Sequence, residues 1–392
     1  MTSHANKACI VGIGHTKYTK WGGITDKNEF QLACEAIQNA VADAGLDLKK
    51  IDGFTSYSED RNEPILLQCA LGLPLLRFSA MVWGGGGGGS CGSVALAAAA
   101  VESGQADYVV AFRALAQGQH GRYGQLDPDG ESFTQIFGLL SPAQMLALPM
   151  RRHMHEYGTK AEHFGEIALT CRENAHRNPN AVMKDRPLDM DTYLQSRMIS
   201  GPLRLFDCCQ ENDGAAAVLI TTRERAVDLN SQPVFIPAAV HGAGKGYGMS
   251  GALGGQNPPL KDYASSGARA VAKDLYNRSG ITHEKIDVAQ IYENFTGQVL
   301  MAIEDYGFCE QGQGGPFVAD GNIRWPSGSL PINTHGGHLS EAYVHGMNHV
   351  IEGVRQIRGI STSQVTNAKI CLVTGGPGIA PTSALILSKE ND

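Results

Sequence analysis

The sequence predicts an α/β fold made by internal duplication of one strand-helix-strand-helix-strand unit, with a long insertion between the copies. Three observations carry this. Ala33, Ala36, Ile37, Ala40, Val41 and Ala44 recur at i, i+3, i+4, i+7, i+8 and i+11, and Ala264, Gly267, Ala268, Val271, Ala272 and Leu275 repeat that helical stripe. A glycine closes each helix, Gly45 or Gly280, and Ile-Asp follows at the same distance, Ile51-Asp52 or Ile286-Asp287. Each stripe is preceded by a strand-like run ending in Gly-x-Gly, at Gly12-Ile13-Gly14 and Gly242-Ala243-Gly244.

The elements follow in order. The first strand is Ala8 to Gly14 (ACIVGIG). In the helix after it, Asp26 and Glu29 have capping-box spacing. A strand covers Ile51 to Tyr57, and the glycine tract Gly84 to Gly89 leads into an Ala-rich helix from Gly92 to Gly104. The tract either admits a ligand's backbone closely or is a packed turn. Ala106 to Phe112 (ADYVVAF) is the next strand. Residues from about 115 to 201 are rich in Gly, His and Arg, lack strand periodicity and read as a partly helical insertion of a length that usually serves function. The second copy opens with Val234 to Gly244 and ends with Lys369 to Thr374 (KICLVT). The halves are therefore set at 1–225 and 233–392.

Composition narrows the function. The chain has 392 residues, a net charge of −7 and 7% aromatics, so it lacks the basic excess and stacking rings of a nucleic-acid binder. Its 48 glycines far exceed the usual share of roughly 7% and have no collagen-like period. The nine cysteines include no CxxC pair, which fits reduced thiols in the cytoplasm. Met1 to Lys7 shows no signal-peptide pattern, and the most apolar helical stretch, Val94 to Val101, is too short to span a bilayer.

Several motifs fail on inspection. Val11 to Lys17 starts like a dinucleotide fingerprint, but Lys17 holds the third glycine position. The glycine tract lacks the Lys-Ser/Thr of a phosphate loop, and no GxSxG elbow is present. His335, His338, His345 and His349 cluster without CxxC or HExxH, so they read as histidines satisfied by backbone, and no metal is expected. Cys208-Cys209 reads as a buried structural pair.

Four segments together resemble the thiolase superfamily, its sterol-carrier-type branch above all. They are GGGGSCGSVALAAAAVESGQADYVVAF (Gly86 to Phe112), PLRLFDCCQENDGAAAVLI (Pro202 to Ile220), IYENFTGQVL (Ile291 to Leu300) and INTHGGHLSEAYVHGM (Ile332 to Met347). The resemblance covers nearly the whole chain. It implies a layered α-β-α-β-α arrangement of the two halves.

The departures from that family decide the chemistry. Aligning Ala95-Leu96 with the family puts Gly89 at the nucleophile position and Cys91 where a small Thr or Ser stands. Tyr343 falls on the GHP histidine and Tyr292 on the polar residue opening the HDCF box. The second cysteine is missing from Leu372 to Gly378, and Cys371 reads as strand core. This pattern resembles a branch that acts as aldolases in steroid side-chain degradation, with tyrosines in place of the Cys-His machinery.

That resemblance implies Tyr292, Tyr343 and Tyr247 as catalytic residues. It places Gly88, Gly89, Ser90, Cys91, His335, Gly336 and Gly376 against the acyl-CoA. Lys245 and His335 are candidates for assisting a basic tyrosine. Arg151-Arg152-His153, Arg113 and Arg122 are candidate cations for CoA, with a solvated helix face as the alternative for Arg151-Arg152. The implied reaction is retro-aldol cleavage of a bulky β-hydroxyacyl-CoA to a carbonyl compound and a short acyl-CoA, with no cofactor beyond the substrate's CoA. The implied partners are a second copy in a homodimer and an OB-fold, zinc-ribbon-type acyl-CoA-binding subunit. Neither nucleic acid nor membrane is expected. Two other readings stay open at this level: a true thiolase using Cys91, and a silent acyl-CoA or sterol carrier.

Overall fold

The computed structural model describes residues 8–84, 86–120, 138–244, 263–376, 378 and 381–390. Its elements in chain order are β1 (Ala8–His15), α1 (Glu29–Ala44), β2 (Gly53–Tyr57), β3 (Phe78–Val82), α2 (Ser90–Glu102) and β4 (Val109–Ala116). The insertion contributes α3 (Pro142–Tyr157) and α4 (Ala161–Arg177). There follow β5 (Asn212–Thr222), β6 (Val234–Gly242), α5 (Arg269–Ser279), β7 (Val288–Gln290), α6 (Thr296–Asp305), α7 (Met347–Arg358), β8 (Ile370–Gly375) and β9 (Thr382–Ser388).

The strand order shows the duplication directly. The strands run β7-β8-β9-β6-β1-β5-β4-β2-β3. Outward from the β1–β6 seam, one arm is β1-β5-β4-β2-β3 and the other is β6-β9-β8-β7, which Ile332 extends by a parallel bridge to Ala289. In both arms the inner pairings are antiparallel and the outer ones parallel. Asp52 and Asp287 play matching parts. The Asp52 carboxylate accepts the N–H groups of Asp107 (3.0 Å) and Tyr108 (2.8 Å) just before β4. The Asp287 carboxylate accepts those of Lys369 (2.8 Å) and Ile370 (2.9 Å) at the start of β8.

Alternation along the strands assigns each side chain to a layer. Cys9, Val11, Ala215, Ala217 and Leu219 pack with α1 on one outer face. Their neighbours Ile10, Ala216, Val218 and Ile220 turn the other way, into a core shared with Val94 and Val101 of α2 and Val350 and Val354 of α7. Ala238, Val240, Leu372, Ala384 and Ile386 form the second outer face with Val271 and Leu275 of α5 and Val299 of α6. Helices α2 and α7 are therefore the middle layer between two halves of sheet. Each fully buried Ile or Leu in these layers contributes about 1.5–3 kcal/mol.

Local signals shift a few boundaries. The capping box of α1 is Asn28 with Gln31, not Asp26 with Glu29. Asn28 Oδ1 accepts from Gln31 N–H and Gln31 Oε1 from Asn28 N–H, both at 2.9 Å. Gly45 and Gly280 end their helices in the left-handed conformation, each with φ 68°. The stripe from Ala264 begins before α5, because Ser265 and Ser266 turn back to the buried Asp305 carboxylate, both at 2.7 Å. Residues 115 and 116 belong to β4 rather than to the insertion. No helix among the described residues is long and apolar enough to cross a membrane.

The Gly-x-Gly of β1 is a packing device. A Cβ on Gly12 or Gly14 would collide with the backbone of α1 at Ala36, Asn39 and Ala40. Gly14→Ala is accordingly expected to cost about 3 kcal/mol or more, as overpacking against a backbone that cannot yield. A denaturant midpoint equal to the parent's would show that α1 does not ride that close.

Candidate active site

Two tyrosines meet where the loops after β7 and before α7 converge. Tyr292 follows β7, and its N–H donates to Thr374 Oγ1 of β8 (3.0 Å). Tyr343 precedes α7, and its N–H donates to Asn212 Oδ1 at the start of β5 (2.7 Å). Each backbone is thus tied to a strand, and the two phenol oxygens lie 2.7 Å apart. Tyr292 is fully buried while Tyr343 is partly accessible. Either hydroxyl can donate in this contact, so the pair can pass a proton in either direction.

Burial sets the protonation. It raises both phenols well above the usual 10. The neighbouring Tyr343 adds to the rise in Tyr292, and the nearby Cys209 thiol adds to that in Tyr343. Two histidines flank the pair. His338 meets the Tyr292 ring edge-to-face at 4.5 Å and the Tyr343 ring at 5.0 Å, and His345 meets Tyr343 at 4.8 Å. Burial lowers both imidazoles well below 6.5, helped at His338 by neighbouring histidines and at His345 by Arg113.

The glycine tract fits as a packed turn against this pair. A Cβ on Gly87 would sit inside the Tyr292 ring. A Cβ on Gly376 would fall 2.5 Å from Gly88 Cα, and one on Gly346 would fall 2.7 Å from Ser90 Oγ. Gly89 caps α2 and lies against Tyr57, while Ser90 Oγ donates to Gly87 O at 2.9 Å. Gly88, Gly89, Ser90 and Gly376 therefore gather beside Tyr292.

Other expected residues lie elsewhere. Cys91 points into the middle layer, fully buried, with its thiol toward Val373 O (3.5 Å), and burial pushes it up to about 12. Such burial disfavours the thiolate that a nucleophilic role needs. Iodoacetamide on the native protein is accordingly expected to spare Cys91 and to label exposed Cys69, with peptide mass mapping as the readout. Fast labelling of Cys91 with loss of activity would restore the acyl-transfer reading.

His335 and Gly336 pack toward α4 and the residues just after it. Gly336 packs on Ala175 of α4, and the His335 carbonyl accepts from Asn178 (2.8 Å). His335 Nε2 approaches Glu341, whose carboxyl burial raises to about 7. Tyr247, Lys245 and Arg122 lie outside the described residues.

The cations separate too. Arg113 is buried and donates to Tyr57 O (2.8 Å), so it serves the interior rather than a solvent-side CoA phosphate. His153 is core, bonded to Thr159 (2.8 Å) and Glu304 (3.0 Å). Arg151, Arg152 and His155 instead line a cleft of about 410 Å³ with Leu148 and Tyr263.

Sequence reasoning passed over Glu293, Asn212, Cys209 and the part of His338. Glu293 bonds His349 Nε2 at 2.7 Å, and its other oxygen accepts the His338 N–H at 2.5 Å. Glu293, His338 and His349 bring donor atoms within 4.8 Å of one another, the general arrangement of a metal ligand set. Their shortest pair, Glu293 with His349 Nε2, is at hydrogen-bond distance, while the buried Nδ1 atoms of His338 and His349 have no hydrogen-bond partner among the described residues. The signal for Cys209 was the vicinal pair. Cys209 N–H donates to Asn294 O (3.0 Å), which draws this strip along the loop that carries Tyr292.

Residues 258–389 match the thiolase C-terminal domain-like family. The chain is 41% identical over 98% of its length, and 99% of the other, to 17-hydroxy-3-oxo-4-pregnene-20-carboxyl-CoA lyase of Mycobacterium tuberculosis. It is 40% identical, over 98% of each, to the steroid side-chain-cleaving aldolase of Thermomonospora curvata. The solved Ltp2-ChsH2(DUF35) aldolase superposes with a TM-score of 0.90 at 39% identity, over 98% of each chain. The chain belongs to the thiolase superfamily, within the branch of the steroid side-chain-cleaving aldolases, and is a carbon–carbon lyase.

Proposed function

We propose that the protein cleaves a β-hydroxyacyl-CoA carrying a steroid-derived side chain by a retro-aldol reaction run by the tyrosine pair, releasing a carbonyl compound and propionyl-CoA or acetyl-CoA. The observation that carries this is the 2.7 Å contact between the Tyr292 and Tyr343 hydroxyls, one phenol buried and the other partly open. The β-hydroxyl proton passes to the Tyr343 oxygen as the Cα–Cβ bond breaks. The hydroxyl carbon becomes a carbonyl, and the bond's electron pair becomes the enolate of the acyl-CoA. The tyrosines return one proton to that enolate carbon, so the protein ends unchanged. Burial disfavours a free phenolate, and a proton that leaves as another arrives avoids one. Tyr292 donates to Tyr343 throughout and supports the charge that develops there. Tyr247 belongs to the same proposal as a third phenol.

The cleft with Arg151, Arg152, His155 and Tyr263 supplies cations and a ring for the CoA phosphates and adenine. Among the described residues edge strand β3 pairs on one side only, with β2, and Met81 on it and Trp83 just after it are exposed, which supports a homodimer through that edge. A small OB-fold, zinc-ribbon-type acyl-CoA-binding subunit completes the assembly, placed in the cytoplasm. The test is incubation with steroid β-hydroxyacyl-CoA esters, with and without the small subunit, followed by mass spectrometry. A ketosteroid together with a short acyl-CoA supports the reading. Ligand binding with no product under any combination would make the protein a carrier.

A further inference from the structure

His338 is the one residue among those described whose ring meets both tyrosine rings, edge-to-face at 4.5 and 5.0 Å with interplanar angles of 77° and 78°. Its own orientation is over-determined. Asn348 Nδ2 donates to Glu341 Oε2 and Ala342 O, both at 3.0 Å, which turns Asn348 Oδ1 toward His338 Nε2 at 3.2 Å. That contact makes Nε2 the protonated nitrogen. The His338 backbone N–H is held by Glu293 Oε1 at 2.5 Å, and Glu293 is held in turn by His349 at 2.7 Å. The His349 ring packs on His338 at 4.1 Å. Fully buried Glu293, His338 and His349 thus form a rigid wall beneath two phenols whose other ties are to each other and to strand side chains.

We infer that His338 is a positioning residue: its ring edge, fixed by Asn348 and Glu293, holds Tyr292 and Tyr343 at the angle that keeps their hydroxyls in contact. Edge-to-face pairs have a preferred geometry, so one ring set against two others constrains both. A displacement of about 1 Å in such a pair costs roughly 10²-fold in rate. This inference rests on the tyrosine-pair reading, and the test separates the two.

His338→Gln keeps a polar group for Asn348 and removes the ring. It is expected to lower kcat about 10²-fold and to leave KM for the acyl-CoA within about threefold, because the CoA cleft is untouched. His338→Phe restores a ring edge and is expected to recover kcat to within about tenfold of the parent. Added to the Tyr292→Phe, Tyr343→Phe double variant, His338→Gln is expected to cost nothing further, since there is no hydroxyl pair left to position. Circular dichroism confirms that each variant is folded. If the double tyrosine variant is slow but His338→Gln keeps the parent's kcat, the positioning role falls and the tyrosine reading stands. If His338→Gln and His338→Phe are slowed equally, with equal losses of stability, the residue is merely structural and the inference is overturned. If the double tyrosine variant itself keeps full turnover, the underlying reading fails first.

Discussion

Replacing Tyr292 and Tyr343 together by Phe is expected to lower turnover at least 10³-fold while the protein stays folded. Removing one preorganised hydroxyl donor costs about 10²–10³ in rate. The second removal adds less, because the two act as one unit. Phe keeps the edge-to-face contacts with His338, so the rings stay in place and only the oxygens are lost. Of the single variants, Tyr343→Phe is expected to be the slower, because Tyr343 is partly accessible to a substrate whereas Tyr292 is fully buried. The pH dependence follows from burial. Both phenols are held well above 10, so neither ionises between pH 7 and 9. Turnover of the parent should therefore not climb across that range as it would for a base becoming phenolate. Steady-state kinetics with a steroid β-hydroxyacyl-CoA check both statements. Undiminished turnover in the double variant, or a steep alkaline rise in the parent, would remove the tyrosine mechanism.

Periodicity located most of the scaffold because each helix buries one stripe and each strand alternates between two layers. The closing glycines and the two Ile-Asp pairs sit at equivalent places in the two arms, although the stripe from Ala264 starts ahead of its helix. What periodicity missed was decided by side chains reaching across space. Asn28 outcompetes Asp26 as a cap because Gln31 stands in the register to reciprocate. Tyr292 and Tyr343 were legible only as substitutions at motif positions. Their 2.7 Å contact depends on two loops 51 residues apart in the chain meeting, which no local spacing encodes. Cys91 is buried in the core. It stands two residues past the nucleophile position, and the helical turn between them carries it from the site into the core. His335 turns toward Glu341. It shares a loop with His338, yet three residues of tight turn send the two rings to different partners, Glu341 and the tyrosine pair.

Gly87→Ala is expected to abolish turnover as thoroughly as loss of the Tyr292 hydroxyl, although it touches neither phenol oxygen chemically. A Cβ at residue 87 would overlap the Tyr292 ring at its Cε2, Cζ and hydroxyl. The ring cannot swing aside freely, since His338 and His349 flank it at 4.5 and 6.3 Å and Tyr343 holds its oxygen. The backbone of the tract cannot retreat either, because the neighbouring Gly88 lies against Gly376, where even a Cβ would be 2.5 Å away. Something must give, and the end of the tyrosine side chain is the softest element. The methyl group should therefore push the Tyr292 hydroxyl off Tyr343 and break the donor contact, at a stability cost of about 1–3 kcal/mol for the overpacking. The distinguishing sign is the pairing with Tyr292. In a Tyr292→Ala background the clash disappears, so adding Gly87→Ala should cost little further activity and return part of the lost stability. A Gly87→Ala protein with normal kcat would mean that the glycine tract is not the bed on which Tyr292 lies.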